Sequence, residues 1–381
     1  MEGSNIKKIV VATPLYPPEQ GGPRTYTLML EDELSKYGFE VRVVPFARAR
    51  KWPKVLRHVV YCWMLLKAAR KADLVYALDP VSVGLPAMIA SKLSFKKFII
   101  RIPGDYAWEQ GQIRFGVTDT LDEFVSAKNK YSLPVYFMKK VQSLVTKQAE
   151  VAIVPSQYMK KIVSTWGMQV GRIIPIYTSL RRINVEKSRE VIRRDLGFNG
   201  TVILSIARLT PWKGLLTLIE LLPEIKKTIP DAKLVIVGEG PEKQRILDLA
   251  KKLELGDSFM LFGPQSKTGI GEITVGADIF VLNTAYEGLS HQLLETMDLG
   301  TPIITTNVGG NPELIKSEKD GILVEYDDSA SLIEGISRIA TDNEFRNKLT
   351  RNAKEKSGEF DQKNVVNQLI DVLNSLITEN K

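Results

Sequence analysis

Glu287 and Glu295 flank seven residues inside one dense run, DIFVLNTAYEGLSHQLLETMDLGTPIITTNVGGNPELI, from Asp278 to Ile315. Glu287 falls in a polar loop that opens at Asn283, and Glu295 inside a helix that starts near Ser290 and stops at Gly300. The two carboxylates therefore do not share one helix face as a catalytic pair. They suit two contacts along one extended ligand, with the backbone N–H groups of Gly288, Leu289 and Ser290 between them, since N–H groups at a helix start attract phosphate. His291 follows directly; its imidazole suits a sugar or phosphate oxygen, the alternative being a packed or surface histidine. A second set is Arg208 and Lys213, five apart in SIARLTPWKG. Two fixed cations in a loop at a strand end suit a diphosphate, because both neutralise charge that grows as a phosphate departs; a solvated basic turn is the alternative.

Three further positions could approach a ligand. Gly21 and Gly22, in Gln20-Gly21-Gly22-Pro23-Arg24, allow close backbone approach at a helix start, or form an ordinary strand-to-helix turn. Gly238, in Val237-Gly238-Glu239-Gly240-Pro241, lies at a strand end where glycine marks a close approach or a plain turn. Asp105, in RIPGDYAWE, follows a strand and is a candidate proton acceptor or polar contact; capping a turn or helix is the other reading.

The elements that must position these residues alternate along the chain. Apolar strands are expected at 8–12, 41–45, 74–77, 98–102, 151–154 and 172–176, with helices at about 24–36, 53–71, 82–93, 134–150 and 157–166. Residues 103–133 read as a long polar and aromatic stretch. After a polar lapse at 178–185 a second series begins, with strands at 202–206, 233–237, 259–262, 279–282, 303–305 and 321–324. Residues 329–358 read as wholly helical, and a last helix spans 365–377. Strands alternating with helices imply parallel sheets covered on both faces, so the expected class is α/β with two doubly wound domains.

The 381 residues suffice for two domains with sizeable cores. Hydrophobic content of 44% and charge of 25% are those of a globular protein. The single cysteine, Cys62, excludes an internal disulfide and a cysteine-based metal cluster, and its apolar neighbours give the expectation of a buried structural thiol. No His–carboxylate cluster at ligand spacing and no Asp-x-Asp points to a metal. The absence of G-x-G-x-x-G disfavours nicotinamide cofactors, and no cofactor is expected. Lys7 and Lys8 lead straight into a strand rather than a leader, and no stretch reaches the length of a membrane span; a cytoplasmic protein is expected. The net charge of +8 is uneven: residues 1–178 hold 26 Lys/Arg against 14 Asp/Glu, and residues 179–381 hold 26 against 30. No nucleic-acid-binding signature accompanies that basic half, so nucleic acid is not an expected partner. Arg48, Arg50, Lys51, Lys54 and Arg57 surround Trp52 and lead into VVYCWMLL, which suits an anionic membrane surface on the inner face, or else a core-packed helix with a charged entrance.

The run from Asp278 to Ile315 resembles the carboxy-terminal donor-site motif of the retaining glycosyltransferases of family 4, which have the GT-B fold. That family carries a Glu-x7-Glu pair followed by G-x-P-x-I-x-T-x-x-G-G-x-P-E, matched here by Gly300, Pro302, Ile304, Thr306, Gly309, Gly310, Pro312 and Glu313. Ser205 to Gly214 resembles its S-x-x-R-L-x-x-x-K-G, Val237 to Pro241 its V-G-x-G-P, and the Gly21-Gly22 loop its amino-terminal Gly-Gly loop beside the donor phosphates and the transferred sugar. The resemblance implies a GT-B fold, with two Rossmann-like domains facing a central cleft. An acceptor-binding domain would span 1–178, with helix 363–381 crossing back to it, and a nucleotide-sugar donor-binding domain 179–362. It implies a metal-independent transferase that moves a sugar from a nucleoside-diphosphate sugar to a hydroxyl of a glycan or lipid-linked glycan. Glu287 would hold donor sugar hydroxyls and Glu295 the ribose, while Arg208, Lys213 and the helix start at Gly288–Ser290 stabilise the leaving diphosphate. Many family members place a histidine in the loop where this chain has Asp105; its two histidines, His58 and His291, lie elsewhere. A nucleotide-sugar epimerase of the same fold and a non-catalytic nucleotide-sugar binding protein are the competing readings.

Overall fold

The computed structural model describes residues 6–19, 21–54, 56–127 and 130–378. The chain forms two compact units, one made by the chain up to Tyr177 together with the stretch from Lys363 onward, the other by Thr178–Gln362.

In the first unit the strands are β1 (Lys7–Thr13), β2 (Phe39–Pro45), β3 (Leu74–Ala77), β4 (Lys97–Arg101), β5 (Val151–Val154) and β6 (Ile173–Pro175). All pair in parallel, in the order β2-β1-β3-β4-β5-β6. β3 and β5 are buried at every position, as short apolar runs must be when helices cover both faces. The helices are α1 (Gly22–Lys36), α2 (Leu56–Ala69), α3 (Gly84–Leu93), α4 (Tyr106–Arg114), α5 (Leu121–Ser126), α6 (Leu133–Gln148) and α7 (Gln157–Ser164).

Two helices, α4 and α5, occupy the stretch that reads as polar and aromatic in the sequence. Each is short and begins at a side-chain cap. Asp105 accepts the Trp108 N–H at the start of α4, and Thr120 with Glu123 forms a capping box at the start of α5. Elements this short carry too few turns for apolar periodicity to show. Cys62 is half-buried rather than enclosed, and burial pushes its thiol up from the ordinary value.

The second unit holds β7 (Val202–Ile206), β8 (Lys233–Val237), β9 (Phe259–Phe262), β10 (Ile279–Leu282), β11 (Ile303–Thr306) and β12 (Ile322–Val324), parallel in the order β12-β11-β10-β7-β8-β9. Its helices are α8 (Arg189–Leu196), α9 (Leu215–Thr228), α10 (Lys243–Lys252), α11 (Lys267–Gly276), α12 (His291–Leu299), α13 (Asn311–Leu314), α14 (Ser329–Thr341) and α15 (Asn343–Ser357). The helical stretch expected over 329–358 is two helices that meet at Asp342. That residue leaves the helical region at φ −100°, ψ 95° and caps α15 by accepting the Phe345 N–H at 2.9 Å. A last helix, α16 (Gln362–Thr378), belongs to the first unit. Its Val366, Leu369, Ile370 and Leu373 join the core made by Met29, Leu30 and Leu34 of α1. Each such apolar side chain contributes about 1.5–3 kcal/mol on burial. Residues 379–381 of the expected helix lie outside the described residues.

Strand order reverses beside the first strand of each sheet, between β1 and β3 and between β7 and β10. Loops leaving the carboxyl ends of such strand pairs diverge and open a crevice, the usual ligand position in open parallel sheets.

Candidate functional site

The reversal between β7 and β10 brings the two chemically loaded sequence stretches together. β7 delivers the loop with Arg208 and Lys213, and β10 the loop with Asn283 to Ser290. Backbone bonds fasten one loop to the other. The Trp212 carbonyl accepts the Ala285 N–H at 2.8 Å, and the Thr284 hydroxyl lies 3.1 Å from the same oxygen. The Asn283 amide reaches the Gly214 carbonyl at 3.1 Å and the Asp327 carboxylate at 2.8 Å. Trp212 is buried at 3% exposure, which anchors the turn carrying Lys213.

Within this frame the Lys213 ammonium bonds the Glu287 carboxylate. Both side chains are largely withdrawn from water, at 9% and 18% exposure. Sequence spacing alone did not pair them, since 74 positions separate them. Arg208, by contrast, is exposed, with its guanidinium 5.6 Å from the centre of the Trp212 ring.

The glycines of the site act first on backbone packing. A side chain at Gly309 would bring Cβ within 2.1 Å of the Glu287 carbonyl oxygen, and one at Gly310 within 2.3 Å of the Gly288 oxygen. The Gly310 N–H donates to the Glu287 carbonyl at 2.9 Å. The Gly-Gly turn after β11 is thus a strut under the Glu287 loop. Gly238 does the same for the other loop. It has φ +152°, its Cβ would fall 1.9 Å from the Ala207 oxygen, and the next residue's carbonyl accepts the Leu209 N–H at 3.0 Å. Gly288 and Leu289 lead into α12; Leu289 is buried. Ser290 is the N-cap, its hydroxyl accepting the Leu293 N–H at 3.3 Å, and His291 is the exposed first residue of the helix.

Glu295 has a different partner from Glu287. Its carboxylate lies 3.5 Å from the Lys267 ammonium, at the first position of α11, and that ammonium also donates to the Arg181 carbonyl at 2.9 Å. Burial pushes the Glu295 carboxyl up from its ordinary value, against the opposing charges of Lys267 and Arg181. Burial likewise pushes Lys267 down, against the pull of Glu295. Sequence reasoning missed Lys267, whose position beside Glu295 follows only from the packing of α11 on α12.

The remaining candidates belong to the first unit. Gly21, at φ +140°, precedes α1 and accepts the Thr25 N–H at 3.2 Å; Gln20 lies outside the described residues. Nothing lies within 4 Å of a Cβ built on Gly22, so the protein's own packing does not require glycine there. Asp105 is fully buried, accepts the Trp108 N–H at 2.9 Å, and takes the Gln142 amide at 3.1 Å on both oxygens. Burial raises its carboxyl to about 6, opposed by those same donors. The capping alternative describes this residue; its carboxylate is spent inside the fold rather than offered to solvent. A second buried carboxylate, Asp79, follows β3 and accepts the Val81 and Ser82 N–H groups at 2.7 Å. Among the described residues no cluster of three or more His, Cys, Asp or Glu side chains could hold a metal ion.

Two parallel six-stranded sheets with their helices, each reversing beside its first strand, define the class: this is a two-unit α/β protein of the GT-B type. Residues 188–356, which lie in the second unit, match the family model of the glycosyl transferases, group 1. It is 29% identical over 213 residues to an uncharacterized glycosyltransferase of Methanocaldococcus jannaschii, covering 54% of each chain. It is 32% identical over 161 residues to the UDP-Gal:alpha-D-GlcNAc-diphosphoundecaprenol alpha-1,3-galactosyltransferase of Escherichia coli, covering 42% of this chain and 41% of that one. The chain spans about half the length of the curated relatives it matches. Anabaena Alr3699/HepE, solved in complex with UDP-glucose, superposes with a TM-score of 0.76 at 18% identity, over 97% of this chain and 99% of that one. At that identity the likeness is one of fold.

Proposed function

We propose that this protein is a retaining glycosyltransferase that moves a sugar from a nucleoside-diphosphate sugar to a hydroxyl of a glycan or lipid-linked glycan. The observation that carries the reading is the Lys213–Glu287 contact at the strand reversal of a group 1 glycosyl transferase unit. One member of that pair suits a diphosphate and the other a sugar hydroxyl, so their contact marks where a donor's diphosphate would join its sugar. The UDP-glucose bound by the Anabaena protein and the diphosphoundecaprenol acceptor of the E. coli relative support the donor and acceptor classes. The proposal makes the first unit the acceptor side, where Asp105 acts as a positioning residue for the loop after β4.

In the proposed step the bond from the anomeric carbon to the diphosphate oxygen breaks, and its electron pair stays with the diphosphate. Arg208, Lys213 and the N–H groups at the start of α12 stabilise that growing charge. The positive charge that a metal would otherwise supply thus comes from side chains. The acceptor oxygen bonds the anomeric carbon on the face the diphosphate leaves, so configuration is kept, and its proton passes to the departing phosphate oxygen. Mass spectrometry of products from a panel of nucleotide sugars with cell extracts tests the reading. A mass gain of one sugar residue on an acceptor is expected. Interconversion of donor sugars without acceptor would make it an epimerase, and binding without turnover a binding protein.

Gly22 offers a sharp check. With open space around its Cβ, Gly22→Val is expected to keep the wild-type melting temperature yet lose at least tenfold in turnover, because the added side chain meets the donor rather than the protein. A folded Gly22→Val enzyme with full activity would remove this loop from the donor site.

We further propose that the first unit binds an anionic bilayer at the inner membrane face. Trp52, Leu56, Val59 and Trp63 are exposed by 44–64% along the entrance and outer face of α2. Arg50 is tied to Glu19 and Arg57 lies over the Phe46 ring at 5.6 Å, so the charge offered outward comes from Arg48, Lys51 and Lys54. Each contributes about 1 kcal/mol near an anionic surface. No helix among the described residues is long and apolar enough to cross a membrane. Co-sedimentation with anionic liposomes is expected to fall as salt rises; no co-sedimentation even at low salt would rule the patch out.

A further inference from the structure

A second feature belongs to the first unit alone. A cavity of about 430 Å³ lies between α6, the end of α5 and the turn after α7. Among the described residues four lysines line it, Lys130, Lys139, Lys140 and Lys147, and no carboxylate does. Converging like charges around a recess with low-dielectric walls raises the local concentration of counter-ions.

The four lysines are not equivalent. Lys130 is neutralised by Asp119 at 2.7 Å. Lys139 donates to the Phe124 carbonyl at 2.7 Å and lies 4.3 Å from the centre of the Phe124 ring, which makes it part of the wall. Lys140 and Lys147 have no carboxylate within ion-pair distance among the described residues. They stand seven positions apart on α6, so they project from one face two turns apart. Lys140 sits 5.2 Å from the Tyr136 ring centre. Lys147 is held along the turn at Gly167, where a Cβ would fall 2.6 Å from its Cε.

The same face of α6 is also apolar. Leu133, Phe137 and Leu144 are exposed by 79%, 65% and 49%, at positions i, i+4 and i+11. Sixteen of the seventeen large apolar side chains exposed among the described residues belong to the first unit, Leu247 being the exception. Exposed apolar side chains running in line with two cations suit a ligand with a charged head and a hydrocarbon tail rather than a small anion alone.

We propose that the α6 cavity binds a phosphate group through Lys140 and Lys147, in the form of a lipid phosphate headgroup whose chains lie along Leu133, Phe137 and Leu144. The site does not depend on what the second unit transfers.

Calorimetric titration of the full chain with dihexanoyl phosphatidylglycerol below its micelle concentration, and separately with inorganic phosphate, tests the proposal. Lipid binding is expected to weaken at least tenfold in Lys140→Glu/Lys147→Glu and to stay unchanged in Arg70→Glu/Lys71→Glu, an equal charge change at exposed positions just beyond the end of α2. Nucleoside diphosphate binding and the melting temperature report folding in each variant, and Lys140→Gln/Lys147→Gln replaces the first variant if it does not fold. Inorganic phosphate binding as tightly as the lipid, and lost in the same variant, keeps the phosphate site and names a free anion as its source. No binding of either probe to the wild-type chain, or equal loss in the α6 and α2 variants, overturns it.

Discussion

Lys213→Ala is expected to lower kcat by about two to three orders of magnitude, the usual cost of removing one group aimed at developing negative charge, and to weaken nucleoside diphosphate binding. Arg208→Ala is expected to act on turnover and binding in the same direction. The two variants should separate in stability. Arg208 is exposed and lies over the Trp212 ring, so its loss should cost less stability than that of Lys213. Lys213 is buried and bonded to Glu287, so its loss strands a mostly buried carboxylate and costs about 1–3 kcal/mol of folding free energy. Adding Glu287→Gln to Lys213→Ala should restore part of that stability but none of the turnover, because the stranded charge disappears while the diphosphate still lacks its cation. Thermal denaturation and steady-state kinetics on the three variants decide it. Near-normal turnover in folded Lys213→Ala and Arg208→Ala would remove both residues from the mechanism.

The strands of both sheets and the loops that follow β7 and β10 were legible in the sequence, because four or five consecutive apolar residues between polar loops have few other solutions in a chain of this size. Ser290 and Gly300 marked α12 to the residue, since one supplies the cap hydroxyl and the other the left-handed turn at φ +80°. The partners of the charged residues were not legible. Glu287 meets Lys213 and Glu295 meets Lys267 only because strand order reverses between β7 and β10 and α11 packs on α12, and a one-dimensional pattern carries neither fact. The glycines illustrate the same limit. Gly238 reads as ligand approach or as turn and Gly309–Gly310 as a turn, and contact with a neighbouring carbonyl gives each a packing reason. Gly22 has no such contact, which leaves room for a ligand there. For Asp105 the sequence left the catalytic and capping readings level, and the 2.9 Å bond to the Trp108 N–H shows the cap.

The separate partners of the two glutamates give the last expectation its direction. A ribose contact is present in both the ground and the transition state, so losing it raises the donor KM with little change in kcat. A contact to the sugar matters most as positive charge develops at the anomeric carbon, so losing it lowers kcat. Glu295 lies inside α12, set back from the loop, with Lys267 as its cation. Glu295→Gln is therefore expected to weaken nucleoside diphosphate binding about tenfold, the effect of about 1.4 kcal/mol, and to leave kcat within a few-fold of wild type. Glu287 precedes α12 and holds Lys213. Glu287→Gln removes the charge that competes with a diphosphate for that ammonium, so nucleoside diphosphate should bind at least as tightly as to the wild type. Turnover should nevertheless fall by about two orders of magnitude, because the carboxylate that steadies the sugar as it turns cationic is gone. Calorimetry with nucleoside diphosphate beside steady-state kinetics distinguishes the two. Equal loss of binding in both variants, or a reversal of the pattern, would mean that Glu287 and Glu295 do not divide the donor between sugar and ribose, even in an active glycosyltransferase.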